Sequence, residues 1–385
     1  MKDINERELT DSMADDADEV VEIIEEQFDD ALMVPCASCG GKMQYNPEGS
    51  NLKCSHCGST RDIMAEQVQI VELCFESALK EDLSTWDEAE VQSFSCKNCG
   101  AEVIFEAHAQ AKFCNYCGSS YISLHETQKT IPPHYLIPFK VDQQEAEVKF
   151  KQWIAKRWFA PSDLKKEYNN HQLLGTYVPY WTYDTHTYSY YTADRGDYYY
   201  VTRTRVVDGK TQTYQERRTR WTHVRGDYPR FFDDVLVRAS NKVDDLMLKK
   251  IEPFNLSALV AYKPEYLSGF FAERYSISLE EGWTSGIRMV DDTLKSEVTR
   301  KIGGDQVRFL NIDTAYNAIT YKHILLPIWL SSYQYKTKVY HFMVNGQTSL
   351  VHGDFPKSPW KIAGAILLTL TIILIIAYFV TQNGA

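Results

Sequence analysis

Three features of the sequence predict an α+β fold. Segments of two-fold alternation rich in tyrosine and threonine are interleaved with segments of helical period. Eight of the nine cysteines recur in two copies of one short-hairpin spacing, and nineteen uncharged residues lie just before the chain's end. At 385 residues and 44% apolar content, two or three domains with real cores are within reach.

Cys36, Cys39, Cys54 and Cys57 read C-x2-C-x14-C-x2-C, and Cys96, Cys99, Cys114 and Cys117 repeat that spacing sixty residues later. A thiolate pair two residues apart can grip one metal ion from a tight turn, and the glycine after each second cysteine relaxes that turn. Two such turns complete a tetrahedron. The residues between them suffice for a short hairpin, with strands expected at 42–45 and 102–105. This is the zinc-ribbon plan, with one structural Zn2+ in each of two tandem four-cysteine sites. Zinc binding, on the order of 10–16 kcal/mol, then supplies most of the stability of so small a module. No signal-peptide pattern opens the chain, so a disulfide framework is disfavoured. Four sulfurs close the coordination sphere and leave no place for an activated water. His56 and His125, near the cysteine turns, are read as surface residues or neighbours of the ligands.

Between Met1 and Pro35, thirteen acids face only Lys2 and Arg7, a net charge of −11 that equals that of the whole protein. The rest of the chain is neutral, without the overall basic excess that a polyanion partner usually demands. The leader is expected to be largely disordered, with a candidate amphipathic stripe at Val20, Ile24, Phe28 and Leu32. Apolar spacing over 68–83 predicts a helix between the ribbons, with Cys74 as a small buried core residue.

Ile131-Pro-Pro-His marks a boundary. A helix is expected over 144–159, burying Ala146, Phe150, Ile154 and Trp158 on one face. Residues 175–224 read as sheet, and Asp208-Gly209 signals a two-residue hairpin that sets Thr204 opposite Thr213 and Arg203 opposite Tyr214. Its arginines lie among tyrosines, which suits either cross-strand pairing or a single-stranded nucleic acid, and pairing is the favoured reading. Arg195-Gly-Asp and Arg225-Gly-Asp are expected as turns between strands. Helices follow over 241–251 and 279–302, the second ended by Gly303-Gly304, with a strand over 269–278. Further strands are expected at 307–312, 315–321, 327–335, 338–344 and 347–352, with Asn345-Gly346 a tight turn. Tyr177-Val-Pro-Tyr-Trp-Thr echoes Leu325-Leu-Pro-Ile-Trp-Leu, which suggests pseudo-repeated halves with each proline at the first position of a strand.

Residues 362–380 match the length of a hydrocarbon core of about 30 Å. Trp360 and Tyr378 suit the two interfaces, and Lys357 and Lys361 flank only the N-terminal side, which places the bulk of the chain in the cytoplasm and makes a single-pass, C-terminal anchor. The expected organisation is an acidic leader (1–34), ribbon one (35–62), a helical linker (63–94), ribbon two (95–125), a β-rich α+β domain (131–356) and a transmembrane helix (361–381). No phosphate-binding glycine loop, His-Glu-x-x-His or nucleophile elbow occurs, so a non-enzymatic protein is expected.

Twin ribbons, a Pro-aromatic-Trp β-domain, Val344-Asn-Gly-Gln-Thr followed by Gly353-Asp-Phe-Pro, and a terminal span together resemble bacterial membrane-anchored proteins with TFIIB-type zinc ribbons. The likeness covers nearly the whole chain, which departs from it in the long acidic leader. The resemblance implies an envelope-stress role, as an anchor that recruits phage-shock-protein-A-like or flotillin-type partners to the inner face of a bacterial plasma membrane. The alternative is a membrane-tethered nucleic-acid-binding protein using the ribbons and the Arg/Tyr hairpin.

Overall fold

The computed structural model describes residues 34–64, 70–80, 92–96, 102–105, 122–125, 131–161, 173–207, 210–242, 245–335 and 338–383. The acidic leader and most of ribbon two, including Cys99, Cys114 and Cys117, lie outside the described residues. The architecture is α+β, with a small three-stranded sheet, a mixed sheet of twelve strands and five helices among the described residues.

The small sheet is β1 (Met43–Asn46), β2 (Asn51–Cys54) and β3 (Thr60–Asp62), paired in that order. The large sheet is built on two very long strands, β9 (Leu174–Val207) and β13 (Gln306–Tyr335), paired antiparallel from Gly196↔Gln306 to Leu174↔Leu330. On the far side of β9 runs β10 (Lys210–Arg238), and on the far side of β13 runs β14 (Lys338–Asn345), which itself pairs with β15 (Val351–Gly353). Short strands complete it: β4 (Leu73–Cys74) and β8 (Tyr135–Leu136) on β13, β11 (Val260–Ala261) on β8, and β12 (Phe271–Glu273) on β9. The ribbon-two strands β5 (Gln92–Cys96), β6 (Glu102–Phe105) and β7 (Ile122–His125) join this sheet through β6 and β12.

The two echoed segments lie opposite each other, with Pro179 against Leu325 and Pro327 against Tyr177. Neither proline begins a strand, contrary to expectation. Pro179 falls where the neighbour of β9 changes from the parallel β12 to the antiparallel β10. Pro327 falls where that of β13 changes from the parallel β8 to the antiparallel β14. At such a gap the missing N–H removes no ladder bond, which is why a central strand tolerates it.

Helices cover both faces. On one, α3 (Asp245–Ile251) lays Met247, Leu248 and Ile251 over Val178, Tyr180, Ile324 and Leu326. On the other, α4 (Leu279–Ile302) opens with a capping box between Ser278 and Glu281 and ends at Gly303, whose φ of 68° suits only glycine. Its buried stripe of Trp283, Val290, Leu294, Val298 and Ile302 follows the sheet. Tyr183 donates to the carbonyl of Leu279 at 2.7 Å and Trp181 to that of Ile277 at 3.0 Å, which draws the helix close at Gly282. A Cβ there would meet Trp181 Cδ1 at 2.7 Å and collide with the Tyr183 hydroxyl. Gly282→Ala is therefore expected to lower the urea midpoint, by about 1–3 kcal/mol of overpacking, against a helix-propensity gain of only about 1 kcal/mol.

Several boundaries differ from the sequence expectation. The linker helix, α1 (Phe75–Lys80), starts later than expected because residues 73–74 pair with β13 instead, and Cys74 is exposed rather than buried; positions 68–69 and 81–83 of the expected helix lie outside the described residues. Helix α2 (Gln143–Ala155) buries Ala146, Phe150 and Ile154 but stops a turn early, leaving Trp158 72% exposed. Both Arg-Gly-Asp triplets sit inside strands. Gly196 lies beneath Trp221 and Gly226 beneath Tyr191, where any Cβ would strike the ring, so glycine serves close aromatic cover rather than a turn. The strands expected at 307–312, 315–321 and 327–335 are one strand, interrupted only by irregularities at Arg308/Asn311 and Asn317/Thr320, where Phe309 and Ala318 adopt positive φ. The expected strand at 269–278 contracts to three residues and that at 347–352 to Val351–Gly353, because Asn345 accepts from the N–H groups of Gln347 and Thr348 and holds a longer turn.

Candidate metal centre and membrane segment

The two cysteine turns of ribbon one are built alike. Cys36 N–H donates to Gly41 O and Gly40 N–H to Cys36 O, each at 2.8 Å. In the second turn Cys54 N–H donates to Ser59 O at 2.8 Å and Gly58 N–H to Cys54 O at 3.0 Å. Gly40 and Gly58 take φ of 69° and 76°, the left-handed conformation that the spacing predicts after each second cysteine.

These turns bring four sulfurs together. Cys36 Sγ lies 3.5 Å from Cys57 Sγ and Cys39 Sγ 3.6 Å from Cys54 Sγ, and all four lie within 4.8 Å of one another. A tetrahedron with metal–sulfur bonds of 2.3 Å has edges of about 3.8 Å, which this spacing brackets. The backbone N–H of Ser38 and then that of Cys39 lower the Cys36 pKa, and the side chain and N–H of Ser59 bring Cys57 down to about 6, whereas, against the N–H of Gly41, the Cys57 sulfur and burial raise Cys39 to about 12. The donor set therefore fits a soft or borderline divalent metal with no open position. His56 is exposed, as expected.

Ribbon one is not a separate bead. Cys36, Cys54, Met43, Tyr45 and Leu52 share one buried cluster with Phe139, Phe150, Phe270 and Trp329. Tyr45 donates its hydroxyl to Phe139 O and its N–H to Ser268 O, and Ser268 returns a hydroxyl bond to Met43 O at 2.8 Å. The apolar residues that a free ribbon would leave exposed are buried against the large sheet.

A second polar cluster escaped the sequence reading. Lys322, 3% exposed, lies 2.8 Å from Asp234 Oδ1, 3.0 Å from Glu72 Oε1 and 4.0 Å from Asp184 Oδ2, and Thr320 also donates to Glu72. Desolvation and then Glu72 raise Asp184 to about 7, while hydrogen bonds from Asp184, Thr320 and Lys322 hold Glu72 near 2. Glu72, Asp184 and Asp233 could also hold a cation, but Lys322 already supplies positive charge there. The four acids and the lysine come from β4's approach, β9, the β10 bulge and β13, so no local spacing announces them. The one sequence signal was a lysine just before the apolar run His323–Leu330.

The Arg/Tyr hairpin has the expected register, Thr204↔Thr213 and Arg203↔Tyr214. Beyond Gly196 it leaves β13 behind and continues as a two-stranded arm, roughly 35 Å long at 3.3 Å per residue. Arg203 and Arg218 pair with Glu216, Arg217 covers Tyr198 at 4.3 Å and Arg220 covers Tyr199 at 5.4 Å, so much of the charge is spent on cross-strand pairing.

The last helix, α5 (Pro359–Asn383), is long and apolar enough to cross a membrane, and none of its apolar stretch from Pro359 to Ile376 is buried against the domain. No family profile matches the chain. No solved structure matches it. Its sequence is 28% identical over 332 residues to the "Uncharacterized protein YdjG" of Bacillus subtilis (strain 168), covering 85% of this chain and 91% of that protein.

Proposed function

We propose that the protein is a non-enzymatic membrane adaptor, anchored by α5 at the inner face of a bacterial plasma membrane, with zinc in both four-cysteine ribbons. The observation that carries this reading is the division of labour along the sheet. Ribbon one, with its four converging sulfurs, packs beside the β13–β14 end from which the chain passes into α5, whereas the exposed arm projects from the opposite end. The path along β9 between Gly175 and Gly196 is roughly 70 Å, so the arm is presented well away from the anchored end. The echoed segments, with matching proline gaps, support two halves descended from one duplicated unit.

The partners that fit are cytosolic scaffold or membrane-remodelling proteins of the phage-shock-protein-A-like or flotillin type, docking on the arm and ribbon two. In-cell crosslinking of the full chain followed by mass spectrometry of the membrane fraction should recover such a protein. A chain ending at residue 358 should leave the membrane fraction and recover less of it. Recovery of no membrane-associated protein partner would end the adaptor reading. A second reading, single-stranded nucleic acid along the arm, draws on the arm's exposed tyrosines Tyr199, Tyr200 and Tyr214. It requires affinity that falls steeply with salt.

A further inference from the structure

The early end of α2 gives a place in the fold to the tryptophan that the helical period had assigned to the core. After Ala155 the chain turns, with Arg157 N–H donating to Ile154 O and Ala160 N–H to Arg157 O, each at 3.1 Å. The turn throws Trp158 outward, 72% exposed, with Phe159 stacked beside it at 6.2 Å between ring centroids. Exposing an indole beside a phenyl ring to water is costly, and among the described residues the domain leaves most of Trp158 and part of Phe159 uncovered.

The same turn is tied to the start of α5. Ser358 N–H donates to Phe159 O, and Lys361 Nζ donates to Ala160 O, both at 2.7 Å. Trp360, in the first turn of α5, is 86% exposed. Two tryptophans and a phenylalanine therefore cluster where the apolar stretch begins. Lys156 and Lys357 are exposed in the same segments, and Arg157 is held back over Trp153 at 4.4 Å.

We infer that residues 156–160, together with Trp360, form a second contact with the bilayer, seated in the headgroup layer of an anionic phospholipid surface. Amphipathic rings prefer that depth, and lysines beside them are drawn to an anionic leaflet. The contact would fix the domain against the membrane rather than let it swing on α5. It rests on the reading of α5 as a span and deepens it.

The test uses the full chain reconstituted in vesicles of phosphatidylcholine, with and without phosphatidylglycerol, containing lipids brominated near the headgroup. Wild-type tryptophan emission should be quenched more than that of Trp158→Phe, and the excess should grow with phosphatidylglycerol. Lys156→Glu with Lys357→Glu should abolish that growth. Trp158 is too exposed for its replacement to disturb folding, and an unchanged circular dichroism spectrum checks this. If Trp360→Phe reduces quenching but Trp158→Phe does not, the headgroup contact is wrong and the span stands. If phosphatidylglycerol changes nothing, the preference for anionic lipid is wrong. If alkaline carbonate strips the wild-type chain from the vesicles, the span reading itself fails.

Discussion

Replacing Cys54 by serine should remove about one zinc per chain, measured by elemental analysis of the purified full-length protein, and should open ribbon one to proteolysis. The effect should be large because zinc binding on the order of 10 kcal/mol is comparable with the whole stability of a typical domain. It should also spread beyond the ribbon. Cys54 is 2% exposed and belongs to the cluster that contains Tyr45, Phe139, Phe270 and Trp329, so loss of the metal should loosen the seat of Tyr45 and change tryptophan emission. A strong chelator should reproduce the change in the wild type. Cys74→Ser is the matched control. That thiol is exposed on β4, opposite Thr320 and outside the four-sulfur cluster, so zinc content should stay the same. A Cys54→Ser protein that keeps its full zinc complement would remove ribbon one as a metal site.

The parts of the fold that the sequence made legible are those whose cause is local. The cysteine turns need a fixed spacing and a glycine, α4 needs a serine cap and a terminal glycine pair, and the hairpin register needs only Asp208-Gly209 between two alternating runs. Each of these follows from a few neighbouring residues. The mistaken expectations share the opposite cause. Residues 73–74 have helical spacing, yet β13 offers them a strand partner. Trp158 continues the period of α2, yet the helix stops where Ser358 and Lys361 bond to the next turn. The Arg-Gly-Asp glycines resemble turn residues, but what they accommodate is a ring on the adjacent strand. The centre at Lys322 was the least legible, since four separate segments build it.

That centre gives the second large effect. Lys322→Met should destabilise the protein by about 3–5 kcal/mol, the usual result of removing one partner from a buried ion cluster and leaving its counter-charges behind. The loss should appear as earlier release of the segment carrying Glu72 from β13, read by hydrogen exchange of Leu73 and Cys74 before global unfolding. The acids also set a pH dependence whose sign can be assigned. Asp184 is raised from 3.8 to about 7 in the folded protein, so its contribution is complete below about pH 4 and is lost as pH rises towards 7. Glu72, lowered from 4.5 to about 2, contributes fully above about pH 4.5 and loses that contribution progressively as pH falls from there to about 2. Burial lowers His134 to about 4 and His323 to about 3, which makes stability rise with pH between about 4 and 6.5, against the trend from Asp184. The raw pH profile therefore mixes opposed slopes, and the informative quantity is the difference between wild type and Asp184→Asn, in which the histidines cancel. One proton sets an upper slope of about 1.4 kcal/mol per pH unit, and screening at the partly exposed Glu72 should reduce the whole difference to about 1–2 kcal/mol. Urea midpoints of the full chain in detergent micelles, taken at steps across this range, should show the wild type losing stability relative to Asp184→Asn as pH rises from about 4 to 7. Parallel profiles would mean that Asp184 is ionised throughout, and that Lys322 holds a fully charged set of acids rather than a pair sharing one proton.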